Sequence, residues 1–537
     1  MAHTVRHADP DAQVASADAA TERKYQRRWW TLAILSLSLL IIGLDNTILN
    51  VALPSLQREF QSTSSQLQWM VDSYIVIFAG LLLTLGALGD RFGRAKGLQA
   101  GLVTFGTASL AAAYAQSADQ LIAARAVMGV GGAFIMPATL SILIDVFPRE
   151  ERGRAISIWA GIAGLGIGLG PLAGGILLEY FWWGSVFLIN VPIVLVALVA
   201  GYFLVPDSRD PNPPALDLPG AFLSMAAVTT LVYAIIEAPS RGWLDLLVLS
   251  AFGLAVVFGV AFTIRERITI APMLDFEFFR NLRFSFGAAA IGFAFFALFG
   301  TVFLLTQYLQ FVRGYTPLEA GYSLIPVALG IMVGASQSHR WVSRFGTPVV
   351  VSAAMVALAI VLGSMTLWEV DTPYWIVGTM LFLMAVSMGN VMAPSTEAVM
   401  GALPTAKAGV GSAMNDLVRQ VAGAFGVAII GSIVNVVYAD RMDGRVTALP
   451  PQASEPARDS VGAALRVAGS IGGPEGAVLA DAARSAFVDS LGVSTLVAAG
   501  AVLVGAGLVR RYLPAEHGDV PERAERVPSA APSHGGE

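Results

Sequence analysis

Five ionisable side chains lie within apolar segments of the sequence and are the residues best able to carry chemistry. They are Asp45, Arg125, Glu397, Asp416 and Arg419. A charge inside a lipid bilayer costs about 2.5 kcal/mol or more unless it faces water or an opposite charge, so such residues usually mark an ion or substrate pathway. The chemistry we expect of them is reversible binding of a proton or another cation.

Asp45 and Arg125 are predicted to lie at similar depths. Asp45 precedes Pro54 by nine residues, about 13 Å from the outer end of its segment at 1.5 Å per residue. Arg125 lies about 8 Å from the outer end of its own segment. A pair between them would make Asp45 lose its proton more easily. We predict that Asp45 binds the coupling proton or cation and that Arg125 tunes it; the alternative is a purely structural ion pair.

Two further acids lie in the second half of the chain. Glu397 precedes Pro404 by seven residues and Asp416 follows Gly409 by seven, so both lie about 10 Å from the inner boundary. We predict that they share an inward-facing cavity and take part in proton or cation coupling. The alternative for Asp416 is that it only neutralises Arg419, which stands three residues later on the same helix face.

Aromatic, amide and charged side chains near these segments are candidates for contacting an amphipathic substrate. Each has a structural alternative, because aromatic residues also gather at membrane interfaces and an acid can serve only as a charge at a helix N-terminus. The candidates are Trp69, Asp72, Tyr74, Phe299, Phe303, Gln307, Tyr308, Gln310 and Arg419.

Long apolar helices must position these residues. Hydrophobic residues make up 55% of the 537 positions and charged residues 13%, with a mean hydropathy of +0.67, which is far from a soluble profile. About 20 apolar residues cross a hydrocarbon core of about 30 Å as a helix. We therefore predict an all-α polytopic membrane protein of about fourteen transmembrane helices. They lie near 29–53, 70–89, 97–115, 120–144, 153–178, 183–205, 217–237, 245–264, 284–311, 318–338, 347–367, 373–399, 409–437 and 488–511.

The distribution of Lys and Arg predicts the orientation. With the N-terminus inside, the short outer loops contain only Arg58, Arg241 and Arg313, and most other basic residues fall on the inner side. Both termini are then cytoplasmic. The first helix is a retained anchor, because its apolar run is too long for a signal peptide. Residues 438–487 form a long outer loop in which we expect one or two short helices.

A weak internal repeat divides the chain. Residues 134–157 resemble 390–413, each with a Pro within the helix, a Pro at the inner exit and a Gly five residues later. Paired halves of this kind enclose the central site of secondary transporters. We predict a disordered cytosolic tail over 1–28, a six-helix half over 29–210, two inserted helices with a cytosolic linker over 211–283, a second six-helix half over 284–513 and a disordered cytosolic tail over 514–537.

Two glycine-containing motifs are predicted to take part in conformational change. In GALGDRFGRAKG, an acid and clustered Arg residues in a short loop can bind a neighbouring helix end and release it; a simple positive inner loop is the alternative. In GIGLGPLAGG, small residues allow close approach of another helix and Pro bends the backbone, although ordinary helix packing uses the same residues. The motif residues are Gly86, Asp90, Arg91, Gly93, Arg94, Gly166, Gly170, Pro171, Gly174 and Gly175.

Several motifs in order resemble one known family. Together with GLDNTILNVALP over 43–54, RAVMGVGGAFIMP over 125–137 and GSAMNDLVRQVAGAFGVAIIGS over 411–432, the two motifs above resemble the major facilitator superfamily and its branch of fourteen-helix drug:proton antiporters. The resemblance implies the major facilitator fold, export in exchange for protons, an exporter role for the second motif and a coupling role for Asp416. Some multidrug members carry an acid in the tenth helix, where this chain has only Glu319 at the outer edge, so specificity for divalent organic cations does not follow.

Other functional classes lack the residues they need. The chain has no Cys, its five His residues form no spaced metal-ligand pair, and it has no GxxxxGK[ST] loop, so an enzyme, a metal site and a nucleotide-driven pump are not expected. A net charge of -5 argues against nucleic acid.

We predict a monomeric carrier without cofactor in the cell (inner) membrane. Its substrates are small amphipathic or cationic compounds such as drugs, antibiotics and dyes, which it exports in exchange for protons. The alternative is a dedicated exporter of one endogenous metabolite or self-made antibiotic. A channel or receptor fits paired halves less well, and sodium coupling stays open.

Overall fold

The fold is built from α-helices, because backbone groups in lipid must find their hydrogen bonds within the segment. The computed structural model describes residues 10–62, 64–209, 217–269, 272, 274, 276–404, 407–446 and 450–515, and these residues contain no strand. Two 3₁₀ turns (Phe276–Arg280 and Met365–Leu367) and a π-helical turn (Tyr308–Val312) accompany the α-helices. The α-helices are α1 (Pro10–Phe60), α2 (Ser64–Phe92), α3 (Arg94–Ala113), α4 (Ala118–Val146), α5 (Arg149–Tyr180), α6 (Ser185–Leu188), α7 (Asn190–Leu204), α8 (Leu218–Arg241), α9 (Leu246–Ile268), α10 (Leu282–Gln307), α11 (Pro317–Ser323), α12 (Ile325–Phe345), α13 (Thr347–Ser364), α14 (Tyr374–Gly401), α15 (Ala408–Asp443), α16 (Pro451–Asp459), α17 (Val461–Ile471) and α18 (Gly473–Tyr512).

Thirteen segments of the described chain are long and apolar enough to cross a membrane. Some of them join adjoining elements: α6 with α7, α10 with the π-helical turn, and α11 with α12. Of the fourteen helices predicted, α3 is the one outside this set, because Arg94, Lys96 and Gln99 make its first turns polar. It packs against α4 and α7 in the bundle. The thirteen apolar segments and α3 together account for the fourteen helices predicted.

Some predicted boundaries differ from the structure. α1 begins at Pro10, within the stretch that was predicted as a disordered cytosolic tail over 1–28. α15 extends to Asp443 and α18 begins at Gly473, so the segment between them is shorter than the predicted loop over 438–487. The expected short helices within it are α16 and α17. Most of the predicted tail over 514–537 lies outside the described residues.

The two halves repeat the same packing. In the first half α1 packs on α5, α2 on α4, and α3 on α7. In the second half α10 packs on α15, α12 on α14, and α13 on α18, which are the equivalent helices in chain order. This repeated arrangement confirms the predicted architecture of two six-helix halves with an inserted pair, α8 and α9.

The inserted pair contacts both halves through α8. This helix packs against α2 and α15, whereas α9 packs mainly on α8 and leaves most of its surface exposed. Trp69 of α2 stacks on Tyr233 of α8, with ring centroids 5.9 Å apart. Trp243, just after α8, donates a hydrogen bond of 3.0 Å from Nε1 to Ser432 Oγ of α15. The insertion therefore spans the junction between the halves.

The junction between the halves is formed by a few helices. α5 of the first half packs against α11, α12 and α14 of the second, and α15 of the second packs against α2 and α4 of the first. We call this junction the seam. The ionisable residues singled out above lie on helices that form or border it.

Candidate coupling and substrate site

Asp45 of α1 and Arg125 of α4 form a buried ion pair. Arg125 Nη1 lies 2.5 Å from Asp45 Oδ2, and the two side chains are 2% and 0% exposed. Arg125 also donates a hydrogen bond of 3.1 Å from Nε to the carbonyl of Met70. Its guanidinium lies 4.5 Å from the centre of the Tyr74 ring, which places a cation over an aromatic face. The structure thus brings together the two residues for which the sequence allowed a pair.

Asn190 is a member of this cluster that the sequence reasoning missed. Its Nδ2 lies 3.4 Å from Asp45 Oδ1 and 3.1 Å from Ser109 Oγ. Ser109 in turn donates to the carbonyl of Phe187 at 2.9 Å. Asn190 is fully buried at the start of α7. The sequence did contain a signal for it, because Asn190 is a single amide at the edge of an apolar run. A buried polar group of this kind needs a hydrogen-bond partner.

Asp416 and Arg419 form a second buried pair on α15. Arg419 Nη1 lies 3.4 Å from Asp416 Oδ1, and Nη2 donates to Thr396 Oγ1 of α14 at 2.9 Å. The guanidinium lies 5.2 Å from the ring centre of Trp159 and 5.4 Å from that of Phe295. Trp159 belongs to α5 of the first half, so Arg419 is in contact across the seam. Spacing predicted the partner on the same helix but gave no sign of the tryptophan.

Glu397 has different neighbours from Asp416. A Cβ at Gly153 of α5 would lie 2.8 Å from Glu397 Oε2 and 2.7 Å from His339 Nδ1, so the carboxylate faces the α5 and α12 side. Thr396, which binds Arg419, precedes Glu397 by one residue and therefore points about 100° away around α14. One shared cavity for the two acids was predicted from their depth alone and stays a prediction.

The loop motif binds the other half of the protein. Asp90 accepts hydrogen bonds from the backbone N–H of Gly409 at 3.0 Å and of Val410 at 3.1 Å, at the start of α15. Arg94 Nε lies 2.8 Å from Asp90 Oδ1. A carboxylate at a helix N-terminus is stabilised by the free N–H groups and by the helix dipole. We call this contact the latch. It joins α2 to α15 at one end of the seam.

The small residues of the second motif let α5 fit between the halves. A Cβ at Gly166 would lie 3.0 Å from the Cα of Gly43, so α1 and α5 touch backbone to backbone at this point. About two turns later, a Cβ at Gly174 would meet Ile48 of α1 at 3.0 Å. On another face, a Cβ at Gly175 would lie 2.9 Å from Leu318 of the second half. Close approach on both sides explains why side chains are excluded along this stripe.

A cavity opens at the seam where α1 and α5 face α10, α11 and α12. Its empty volume, which includes the open space at the mouth, is about 660 Å³. Consecutive spans run in opposite directions, so this cavity, near the C-terminal part of α1, lies toward the end of the bundle opposite the latch. The lining residues are Thr47, Val51, Gly168, Pro171, Val302, Thr306, Gln310, Ala320, Gly321, Leu324 and Val327.

Most predicted substrate contacts lie elsewhere. Gln310 lines the cavity, and Pro171 of the second motif lines it too. Tyr74 is fully buried beside Arg125, and Trp69 faces the inserted helix α8. The other candidates are not part of the described lining: Asp72 near the start of α2, Phe299, Phe303 and Gln307 on α10, Tyr308 in the π-helical turn and Arg419 on α15. Their contact with a substrate stays a prediction.

The fold and the site together define a membrane carrier, with two repeated halves, a cavity at their seam and charges buried beside it. The chain belongs to the major facilitator superfamily, since the model of the Major Facilitator Superfamily matches residues 35–427. This confirms the resemblance drawn from the motifs.

Characterised relatives align over nearly their whole length. The multidrug efflux pump LfrA of Mycolicibacterium smegmatis is 34% identical over 491 residues, which cover 91% of this chain and 97% of the relative. The tetracenomycin C resistance and export protein of Streptomyces glaucescens is 31% identical, and the alignment covers 90% of this chain and 91% of the relative. The methyl viologen resistance protein SmvA of Salmonella typhimurium is 35% identical, with 89% and 96% covered.

A solved structure shows the same fold. The crystal structure of the human organic anion transporter MFSD10 (TETRAN) superposes with a TM-score of 0.60 at 14% identity, and the match covers 90% of this chain and 99% of that one. At this identity the likeness concerns the fold alone.

Proposed function

We propose that this protein is a proton-coupled antiporter that exports small amphipathic or cationic compounds, including drugs, antibiotics and dyes, across the cell membrane. The observation that carries the proposal is the double role of α1. This helix holds Asp45 in a buried ion pair and contributes Thr47, about half a turn later, and Val51, about one turn after Thr47, to the cavity. Movement of one helix therefore links the charge of the acid to the shape of the ligand site.

Asp45 is the proposed proton-binding group and Arg125 its regulator. While ionised, the carboxylate is held by the guanidinium, and protonation removes the attraction between them. A neutral Asp45 leaves α1 free to shift against α4, which carries Arg125. Substrate entering the cavity pushes on the same helix, so proton and substrate compete through α1 without sharing a binding pocket.

Asp416 and Glu397 are proposed as further coupling acids in the second half. Arg419 contacts both Asp416 and, across the seam, Trp159. The strength of the interaction between Arg419 and Asp416 therefore depends on the relative position of the two halves. Glu397 faces α5 at Gly153, also across the seam. Both acids therefore lie where rocking of the halves changes their surroundings.

The latch gives the direction of opening. We place both termini and the latch on the cytoplasmic side of the inner membrane, from the excess of Lys and Arg in the loops on that side. The described conformation is then held closed toward the cytoplasm by Asp90, with the cavity toward the outside. Release of the latch and sliding of α1 and α5 at Gly43 and Gly166 open the inner side. The protein acts as a monomer, without a cofactor and without enzymatic activity.

The names of the relatives support export of toxic compounds. LfrA is a multidrug efflux pump and SmvA confers resistance to methyl viologen. The tetracenomycin C protein is a resistance and export protein, which favours the second candidate function, a dedicated exporter of one self-made antibiotic. A panel of structurally unrelated dyes and drugs separates the two, because a dedicated exporter transports one chemical family only.

The proposal is tested in inside-out vesicles with an imposed pH gradient. Addition of a transported dye is expected to dissipate the gradient in vesicles with the wild-type protein, and the Asp45→Asn variant is expected to lose this response. A gradient unaffected by every transported compound, or an Asp45→Asn variant with full proton-driven export, contradicts the proposal. Replacing the proton gradient by a sodium gradient in the same vesicles distinguishes the two ions.

A further inference from the structure

The turn between α12 and α13 repeats the turn between α2 and α3. The sequence DRFG over 90–93 corresponds to SRFG over 343–346. In both turns the arginine guanidinium lies over the ring of the next residue, 5.6 Å from its centre in the first half and 5.3 Å in the second. In both, the glycine has a positive φ, 119° and 79°, and directly precedes the next helix. The two turns are therefore equivalent corners of the repeated halves.

Acidic residues neutralise the corner of the first half. Asp90 pairs with Arg94 and accepts hydrogen bonds from the start of α15. Asp207, just after α7, lies 3.6 Å from Lys96 Nζ. A Cβ at Gly93 would lie 2.6 Å from the same Asp207 carboxylate, which therefore fills this corner. Basic side chains on this side of the bundle thus find their partners within the protein.

The equivalent corner of the second half has arginines in place of these acids. Ser343 stands where the first half has Asp90, and α18, the equivalent of α7, ends with two arginines. A Cβ at Gly346 would lie 3.9 Å from Ala515, so the chain just after α18 reaches the turn between α12 and α13. The basic residues of the two helix ends therefore lie at one place, which we call the basic corner. Its members are Arg340, Arg344, Arg510 and Arg511.

The arginines of the basic corner are all exposed to the surroundings. Neither α12 nor α13 contains an acidic residue, and none follows Asp489 as far as Ala515. Among the residues that the structure describes, no carboxylate forms an ion pair with any of the four. Like charges that gather without a counter-charge raise the local potential and attract an anion. The basic corner therefore favours a negatively charged partner.

Exposed aromatic rings lie beside these arginines. Trp341 and Phe345 stack with ring centroids 5.9 Å apart, and each is nearly half exposed. Tyr512 is exposed to a similar extent and stacks on Phe286 of α10 at 5.0 Å. Aromatic rings at the ends of transmembrane helices lie where the hydrocarbon meets the headgroups. A partner that fits both features has an anionic head and an apolar body, whereas a soluble anion would use the charge alone.

We propose that the basic corner binds an anionic phospholipid of the surrounding bilayer. Its phosphate lies between the arginines of α12 and those of α18, and its acyl chains lie along Trp341 and Phe345. Basic residues at the ends of neighbouring transmembrane helices are suited to such headgroups. The site is separate from the cavity and from the buried ion pairs, so it does not depend on the proposed antiport mechanism. The lipid joins the turn between α12 and α13 to the end of α18.

Native mass spectrometry of the purified full-length protein in neutral detergent tests the proposal. The probes are dioleoyl phosphatidylglycerol, which is anionic, and dioleoyl phosphatidylcholine, which has the same chains and no net charge. We expect the first phosphatidylglycerol to bind at least about tenfold more tightly than phosphatidylcholine, a factor that corresponds to about 1.4 kcal/mol. Equal affinities overturn the proposal. Inorganic phosphate at the same concentration should not displace phosphatidylglycerol, and displacement would assign the corner to a soluble anion instead.

Paired substitutions assign the lipid to the basic corner. Arg344→Gln/Arg511→Gln is expected to weaken phosphatidylglycerol binding about tenfold and to leave phosphatidylcholine binding unchanged, which also shows that the variant is folded. The matched control is Arg441→Gln/Arg458→Gln, which removes the same charge at the opposite end of the bundle, where both arginines already pair with acids. The control should bind both lipids like the wild type. Phosphatidylglycerol binding that survives the first pair unchanged, or that falls equally in the control, overturns the proposal.

The C-terminal residues of the chain are the rival occupant of the basic corner. Residues 516–537 contain five acidic residues and two arginines, so they could supply the missing negative charge. A chain that ends at Ala515 is expected to bind phosphatidylglycerol with the affinity of the full-length protein. If only the shortened chain bound this lipid, the corner would belong to the C-terminal residues and the proposal would be refuted.

Discussion

Replacing Asp45 with Asn is expected to leave a buried charge without its partner. In the wild type the Arg125 guanidinium, 2% exposed, is balanced by a carboxylate that is completely buried. After the substitution it keeps the Met70 carbonyl and the Tyr74 ring as neutral partners. Neither cancels a full positive charge in a region of low dielectric.

The magnitude follows from the burial of the pair. Removal of one partner of a buried ion pair costs about 3 to 5 kcal/mol, whereas replacement of both partners by neutral groups is often close to neutral. We therefore expect Asp45→Asn to lower the free energy of unfolding by about 3 kcal/mol or more. The double variant Asp45→Asn/Arg125→Gln is expected to recover at least about half of that loss.

The assay is unfolding by dodecyl sulfate in mixed micelles, followed by far-UV circular dichroism. The matched control is Asp443→Asn, because Asp443 pairs with Arg458 at 2.6 Å but both side chains are about half exposed. Exposed pairs contribute about 1 kcal/mol or less, so the control should change little. Two results would contradict this charge balance. One is an Asp45→Asn variant whose free energy of unfolding falls no further than that of the control. The other is a double variant whose loss of free energy of unfolding equals the sum of the losses of its two single variants.

Three further substitutions test other parts of the structure. Asp90→Ala removes the acceptor for the first N–H groups of α15 and should lower the population with the latch closed about tenfold. This population is measured from the distance between spin labels on α2 and α15, which can be attached at introduced Cys residues because the chain has no native Cys. Gly166→Ala should destabilise the fold by about 1 kcal/mol or more and slow export, whereas Gly507→Ala, with open space around it, should do neither. Burial by itself raises the pKa of Asp217, but hydrogen bonds from Arg265 and other donors outweigh it and hold that pKa below its ordinary value. Stability from this group is therefore present above about pH 4 and lost as the pH falls further, and Asp217→Asn should remove that acid-dependent loss in a pH series of unfolding measurements.

The order of apolar and charged residues along the chain was sufficient to predict the transmembrane helices and the contacts within one helix. Runs of apolar residues gave the spans, since the thickness of the bilayer fixes how many residues must avoid water. The spacing of Asp416 and Arg419 predicted their pairing, because residues three apart share a helix face. The α3 helix shows the limit of hydropathy, because its polar first turns weaken the apolar signal.

Contacts between helices were decided only by the tertiary structure. Asn190 reaches Asp45, Trp159 lies over Arg419, and Asp90 binds a helix start that is 319 residues away in the chain. Buried helices of a membrane protein are apolar on nearly every side, so their sequences do not indicate which face packs against which neighbouring helix. The rotation of each helix in the bundle decides which faces are in contact, and therefore where the seam cavity lies.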